Sequence, residues 1–123
     1  MPSITKVTKP WGEEIILTPP DLPYAGKILK INANHRLSLQ YHDQKTETLT
    51  LIQGNALLYL GNSPENLQEI KMTTQESYTI TPHTLHRLKA LTDTTILEVS
   101  TPPIGTTFRL QDDYHRPNET LKG

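Results

Sequence analysis

Short aliphatic and β-branched runs recur about every ten residues along this chain, and turn formers separate them. The runs are "EEIIL", "GKILKI", "LSLQYH", "ETLTLIQ", "ALLYL", "SYTI", "HRLKAL" and "TILEVS". Between them fall Pro19-Pro20, Gly26, Asp43, Gly54-Asn55, Gly61-Asn62-Ser63-Pro64, Pro82 and Asp93. Each run is long enough for a strand, and each interruption supplies a residue suited to a tight turn. Ten prolines and the lack of any long stretch with a 3.6-residue period exclude a helical fold. The pattern predicts an all-β, antiparallel sandwich or barrel. "PENLQEIKM" reads either as one helical turn or as a loop entering a strand. The polar tail after Pro102 is expected to wrap the surface.

The chain has 123 residues, enough for one domain with a real core and too few for two ordinary ones. We expect a single domain over 1–123, with the barrel core over about 24–101. Twelve basic side chains stand against thirteen acidic ones, so no net field attracts nucleic acid or an anionic membrane. No apolar run approaches the roughly 20 residues of a membrane-spanning helix, and the N-terminus has no signal-like apolar segment. A cytoplasmic location is the expectation. With no cysteine, any metal would be held by nitrogen and oxygen donors.

Chemistry concentrates in "SLQYHDQKTE", Ser38 to Glu47. Residues two apart on a strand share a face, so Gln40 and His42 point the same way. Glu47 shares its face with Leu49 and Leu51, which places a carboxylate at the mouth of a core. The intervening "DQKT" has the length of a hairpin loop and would set the His42 and Glu47 strands side by side. A lone ionised carboxylate there is costly unless it is paired or binds a cation. His86 alternates with Leu88 and Ala90 and therefore also faces inward, as either a hydrogen-bonded core residue or a fourth ligand.

These residues resemble the cupins. The first cupin motif, Gly-x5-His-x-His-x3–4-Glu-x6-Gly, corresponds in spacing to Asn34, Gln40, His42, Glu47 and Gly54, with Asn34 and Gln40 differing in identity. The second, Pro-x-Gly-x2-His, falls on Thr81, His83 and His86. "RLSLQYH" is similar to the cupin domain of type II mannose-6-phosphate isomerases. So are "KPWG" at Lys9 to Gly12, His86-Arg87, "LEV" at Leu97 to Val99, and Arg109, Asp112, Tyr114 and Arg116, with His115 in place of the usual Gly. The nucleotidyltransferase domain that often precedes such a cupin is not in this sequence, so synthesis of a nucleotide sugar is not expected of it.

The resemblance implies a single-domain cupin jelly-roll barrel holding one divalent ion through Gln40, His42, Glu47 and His86. Such donors suit zinc and also accept manganese, cobalt, nickel or iron. Gln in place of a His makes the shell harder and favours Lewis-acid chemistry over oxygen activation. The implied activity is a metal-dependent interconversion of mannose 6-phosphate and fructose 6-phosphate through an enediolate, with a small-molecule sugar phosphate as the partner. Glu98 is the candidate base, with Asp112 as the alternative. Lys9 and Arg109 are the candidates for the phosphate, with Arg36 and Arg116 behind them. Strand parity turns Arg87 away from the metal, and Trp11, Tyr41, His35, His83 and His115 are assigned to packing or loops. A non-catalytic metal- and sugar-binding cupin, acting as a sensor or partner subunit, is the competing expectation. A third reading, a mononuclear iron dioxygenase, shares the barrel but would carry a further His where Gln40 stands. Pairing of the N-terminal segment with a neighbour's sheet edge predicts a homodimer.

Overall fold

A computed structural model describes residues 4–102 and 104–121. The chain runs through twelve strands: β1 (Thr5–Lys9), β2 (Gly12–Ile16), β3 (Ala25–Ile31), β4 (Leu39–His42), β5 (Glu47–Gln53), β6 (Ala56–Gly61), β7 (Leu67–Lys71), β8 (Ser77–Ile80), β9 (Leu85–Ala90), β10 (Thr94–Ser100), β11 (Gly105–Gln111) and β12 (Glu119–Leu121). They form two six-stranded sheets, ordered β1-β2-β3-β10-β5-β8 and β12-β11-β4-β9-β6-β7. The registered pairs are antiparallel, and the architecture is a jelly-roll sandwich. Among the described residues no helix is long and apolar enough to cross a membrane.

All eight runs picked out by their spacing are strands. One alternative is decided and one expectation changes. "PENLQEIKM" is a turn followed by β7, which pairs with β6 along its length. The tail does not simply wrap the surface: β11 pairs with β4 and carries β12, so residues after Pro102 complete one sheet. Alternation does not show there because the strand is half-buried from Gly105 to Arg109 and exposed at its last two residues.

Inward side chains alternate along the central strands. Leu49 and Leu51 on β5, Leu58 on β6, Leu88 and Ala90 on β9 and Ile96 on β10 are all at most 3% exposed and form the apolar end of the interior. The same alternation, continued toward the other end, buries Glu47, His86 and Glu98 instead. The interior is thus apolar at one end and ionisable at the other.

Left-handed backbone appears where the cupin motifs call for glycine. Asn34 (φ 67°), His83 (φ 66°) and His115 (φ 58°) occupy those positions. Asn and His tolerate this region better than most side chains. Backbone bonds anchor each: Asn34 N donates to Ala90 O and His83 N to His42 O on distant segments, and His115 N donates to Asp112 O within its own turn. The motif shapes therefore survive without their glycines. Gly12 of "KPWG" is a stricter case: a Cβ there would lie 1.9 Å from the carbonyl oxygen of Lys30.

Candidate metal and sugar site

The loop Asp43–Thr46 does not close a hairpin. β4 lies in one sheet and β5 in the other, so His42 and Glu47 face each other across the interior. The loop ends are drawn apart by different partners. Asp43 accepts from Thr106 N through Oδ1 and donates its backbone N–H to Thr106 O, while Thr46 N donates to Thr101 Oγ1. Convergence of the ligands across the sandwich replaces the expected side-by-side pairing.

Glu47 Oε1 lies 2.9 Å from His86 Nε2 and 3.6 Å from His42 Nε2. One ligand atom from each of the three residues falls within 4.8 Å of the other two. The opposite nitrogens are already engaged: His86 Nδ1 sits 2.9 Å from Thr84 O and His42 Nδ1 sits 2.9 Å from Thr107 Oγ1. A carbonyl only accepts, so His86 Nδ1 donates to Thr84 O, and Nε2 is the ring atom directed toward the centre. Both Nε2 atoms are buried without a hydrogen-bond partner. Two buried imidazole nitrogens left open beside a carboxylate fit a divalent ion, and their outer partners orient the rings as such sites require. Burial lowers the His42 pKa, outweighing the neighbouring Glu47 charge, and so favours the neutral imidazole that a ligand must be. Gln40 is in register with His86 and lines the same cleft, with its Oε1 accepting from Ser38 Oγ at 2.6 Å. An amide oxygen has a second lone pair for an ion.

Beside this centre is a buried chain of alternating charge. Lys45 Nζ reaches Glu47 at 3.3 Å and Glu98 at 3.0 Å. Lys27, the cross-strand neighbour of Glu98, is held by Glu14 at 2.6 Å, and Lys9 reaches Glu14 at 3.3 Å. Burial works against the Glu47 charge, but contacts with His42, His86 and Lys45 outweigh it and hold the carboxyl well below its usual value. At Glu98 burial dominates, reinforced by the Glu47 charge and only partly offset by Lys45 and Lys27, and the pKa is raised. Lys45 is the reverse case: burial alone would lower it, but Glu98 and Glu47 raise it and keep it an ammonium.

Lys45 is the residue that the sequence reading missed. The signal was present, since Lys45, Glu47 and Leu49 share one parity. Extending the inward face back by two residues would have found it.

Glu98 faces the cleft as expected, and Lys9, Arg109 and Arg116 line it too. Asp112 is not brought in. It is gripped by Arg116 at 2.9 and 3.0 Å, an ion pair that closes the turn after β11. Arg36 also lies elsewhere, in an exposed pair with Asp113. Arg87 turns away from His86 as parity required, yet it is buried, donating to Leu37 O and to Gln111 O and Oε1. Trp11 belongs to the core, and Tyr41 stacks on Phe108 at 4.8 Å. The whole cleft measures about 970 Å3, including its open mouth.

Glu14 gives a pH test that needs no ion. Burial raises its pKa, but Lys27 and Lys9 outweigh this and the carboxyl is held below its ordinary value. A depressed folded-state pKa contributes stability that is present above the unfolded value and lost as pH falls through the folded one. In metal-free protein, Glu14→Gln should therefore melt a few degrees lower than wild type at pH 7. The gap should close as pH falls through the lowered folded-state pKa, beneath the ordinary carboxylate range. A gap that stays constant over that range would show that Glu14 acts by packing, not by charge.

The family described as "Mannose-6-phosphate isomerase C-terminal" matches residues 2–118. Among solved structures, KdgF from Halomonas sp. is 17% identical with a TM-score of 0.67, covering 81% of this chain and 87% of its own. Oxalate decarboxylase from Bacillus subtilis, in a study of its Mn(II) centres, is 15% identical with a TM-score of 0.72 over 93% of this chain. The capsular polysaccharide assembling protein CapF from Staphylococcus aureus is 11% identical with a TM-score of 0.69 over 98% of this chain. The match spans 32% of the oxalate decarboxylase chain and 33% of CapF. No curated protein matches the sequence. At these identities the structural likeness establishes the fold alone. Together with the family match over nearly all of its length, it shows that this chain is a cupin of the mannose-6-phosphate isomerase C-terminal family.

Proposed function

We propose that the protein is a metal-dependent sugar-phosphate isomerase of the mannose-6-phosphate/fructose-6-phosphate type. The observation that carries this reading is Glu98, a fully enclosed carboxylate with a raised pKa in the same cleft as His42, Glu47 and His86. A proton must move between adjacent carbons, and a carboxylate of raised pKa is a better base for that task than an ordinary one. Glu98 takes the proton from carbon 2 and returns it to carbon 1, while the Lys45 ammonium keeps the carboxylate in place. Gln40, His42, Glu47 and His86 would hold a divalent ion, which would supply Lewis-acid stabilisation of negative charge on the sugar oxygens. Lys9 and Arg109 bind the phosphate. In support, five cationic side chains besides the outward Arg87 line the cleft against four carboxylates, a balance that suits an anionic ligand.

One observation favours binding without turnover. Among the described residues Glu98 is the only carboxylate in the cleft that is neither a ligand candidate nor tied to two lysines or to the mouth, and its partner Lys45 lowers its basicity. Proton NMR of mannose 6-phosphate in heavy water, with the zinc- or manganese-loaded protein, separates the two. Formation of fructose 6-phosphate with loss of the proton on carbon 2 is expected. Retention of that proton across several divalent ions, with the ion still bound, would favour the binding cupin.

A further inference from the structure

Three arginines meet carboxylates around β11, and they do so unequally. Arg36 grips Asp113 through Nε and Nη2 at 2.7 and 2.8 Å. Arg116 grips Asp112 through the same two nitrogens at 2.9 and 3.0 Å. Arg109 reaches Glu119 through Nη2 only, at 3.4 Å, and its Nε is buried with no partner. The Nε–Nη2 edge is the fork that takes two oxygens of one oxyanion. At Arg109 that fork is half filled.

The guanidinium does not depend on Glu119 for its position. Nη1 donates to Pro117 O at 2.5 Å, and the Arg109 backbone N–H donates to Asn118 Oδ1 at 2.8 Å. The Arg109 side chain is 11% exposed and the Glu119 side chain 49%. A half-exposed carboxylate at long range contributes little and leaves at little cost. Its backbone can stay paired with Thr107 while the side chain swings into solvent. Lys9 and Arg116 line the same mouth and add positive charge to it.

We propose that Glu119 is the resting occupant of an oxyanion subsite at the cleft mouth, displaced when a phosphate group fills the Arg109 fork. The proposal rests on the sugar-phosphate reading and deepens it. Glu119 sets selectivity: a phosphate dianion outcompetes the internal carboxylate more readily than a monoanion or a neutral hydroxyl does.

The test is binding to the full, metal-free chain, followed by calorimetry and 31P NMR with inorganic phosphate in one arm and fructose 6-phosphate in the other. Glu119→Gln should tighten binding by about two- to fivefold, the scale of one exposed ion pair. Glu119→Ala, also at an exposed edge, should change it in the same direction. Arg109→Met should abolish saturable binding in the wild-type and Glu119→Gln backgrounds. A gain in both arms assigns the subsite to phosphate in general, and a gain with fructose 6-phosphate alone assigns it to the sugar ester; either supports the proposal. Unchanged or weaker binding in both Glu119 variants overturns it, as does binding that survives loss of Arg109 in a folded protein. No turnover is measured, so failure of the isomerase reading leaves this result intact. Failure here, in turn, leaves the proton-exchange assay to stand alone.

Discussion

Glu47→Gln should lower the affinity for zinc or manganese by more than about 100-fold, with the strands left in place. The carboxylate is the one anionic donor in the ligand set and the point on which both open imidazole nitrogens converge. Gln keeps the shape and removes the charge. At an ion concentration 100 times its Kd, wild type gains about 2.7 kcal/mol from binding. The variant forfeits that gain, a difference of roughly 10 °C in melting temperature for a chain of this size. Calorimetric titration and elemental analysis after dialysis would measure the affinity, and melting with and without the ion would measure the linkage. Equal metal content and an equal metal-induced shift in both proteins would remove Glu47 from the site. The metal-free variant should also be less stable than wild type, because Lys45 keeps only Glu98 as a counter-charge.

Arg87→Met should cost about 3–5 kcal/mol of stability, a loss in the range set by breaking buried polar pairings. Arg87 is 6% exposed and joins three parts of the fold: β9, which carries it, the Leu37 carbonyl before β4, and Gln111 at the end of β11. Methionine fills much of the volume and satisfies none of those oxygens. Arg87→Lys should recover only part of the loss, since one ammonium cannot span acceptors on two segments. Because β11 carries Thr107 and Arg109, loosening Gln111 should also weaken ligand binding in protein that remains folded. Denaturant melts of the three proteins decide the matter. A cost below about 1 kcal/mol, the range of ordinary surface substitutions, would mean that the Arg87 bonds are replaceable by water.

Much of the architecture was readable because strand parity is a local property. The inward set of Gln40, His42, Glu47, His86 and Glu98 follows from counting by two, and each of these side chains lines the cleft. The same count held Arg87 on the opposite face but left open whether that face was covered. Arg87 is buried there because Leu37 O and Gln111, the last residue of β11, accept its hydrogen bonds, a long-range arrangement that no local pattern records. Asp112 shows the converse limit. It belongs to a motif shared with the isomerases, but the turn beside it places Arg116 four residues on, within reach of both its oxygens, and Asp112 is taken up by that pair while Arg116 alone reaches the cleft lining. Lys45 was legible and went unread, since its parity was the same as that of Glu47.

What the sequence determined by itself was eight of the twelve strands and the inward face of each of those, because these follow from period-two alternation and turn chemistry. What only the tertiary structure decided was which strands are neighbours. A four-residue link such as Asp43–Thr46 can close a hairpin or cross from sheet to sheet, and its length does not distinguish the two. The choice was made by partners distant in sequence: Thr106 at one end of the loop, Thr101 at the other, and β11 paired along β4. By sending β4 and β5 into opposite sheets, those bonds set His42 and His86 across the interior from Glu47 and enclose the site between two layers, where burial and charge can shift the Glu98 carboxyl.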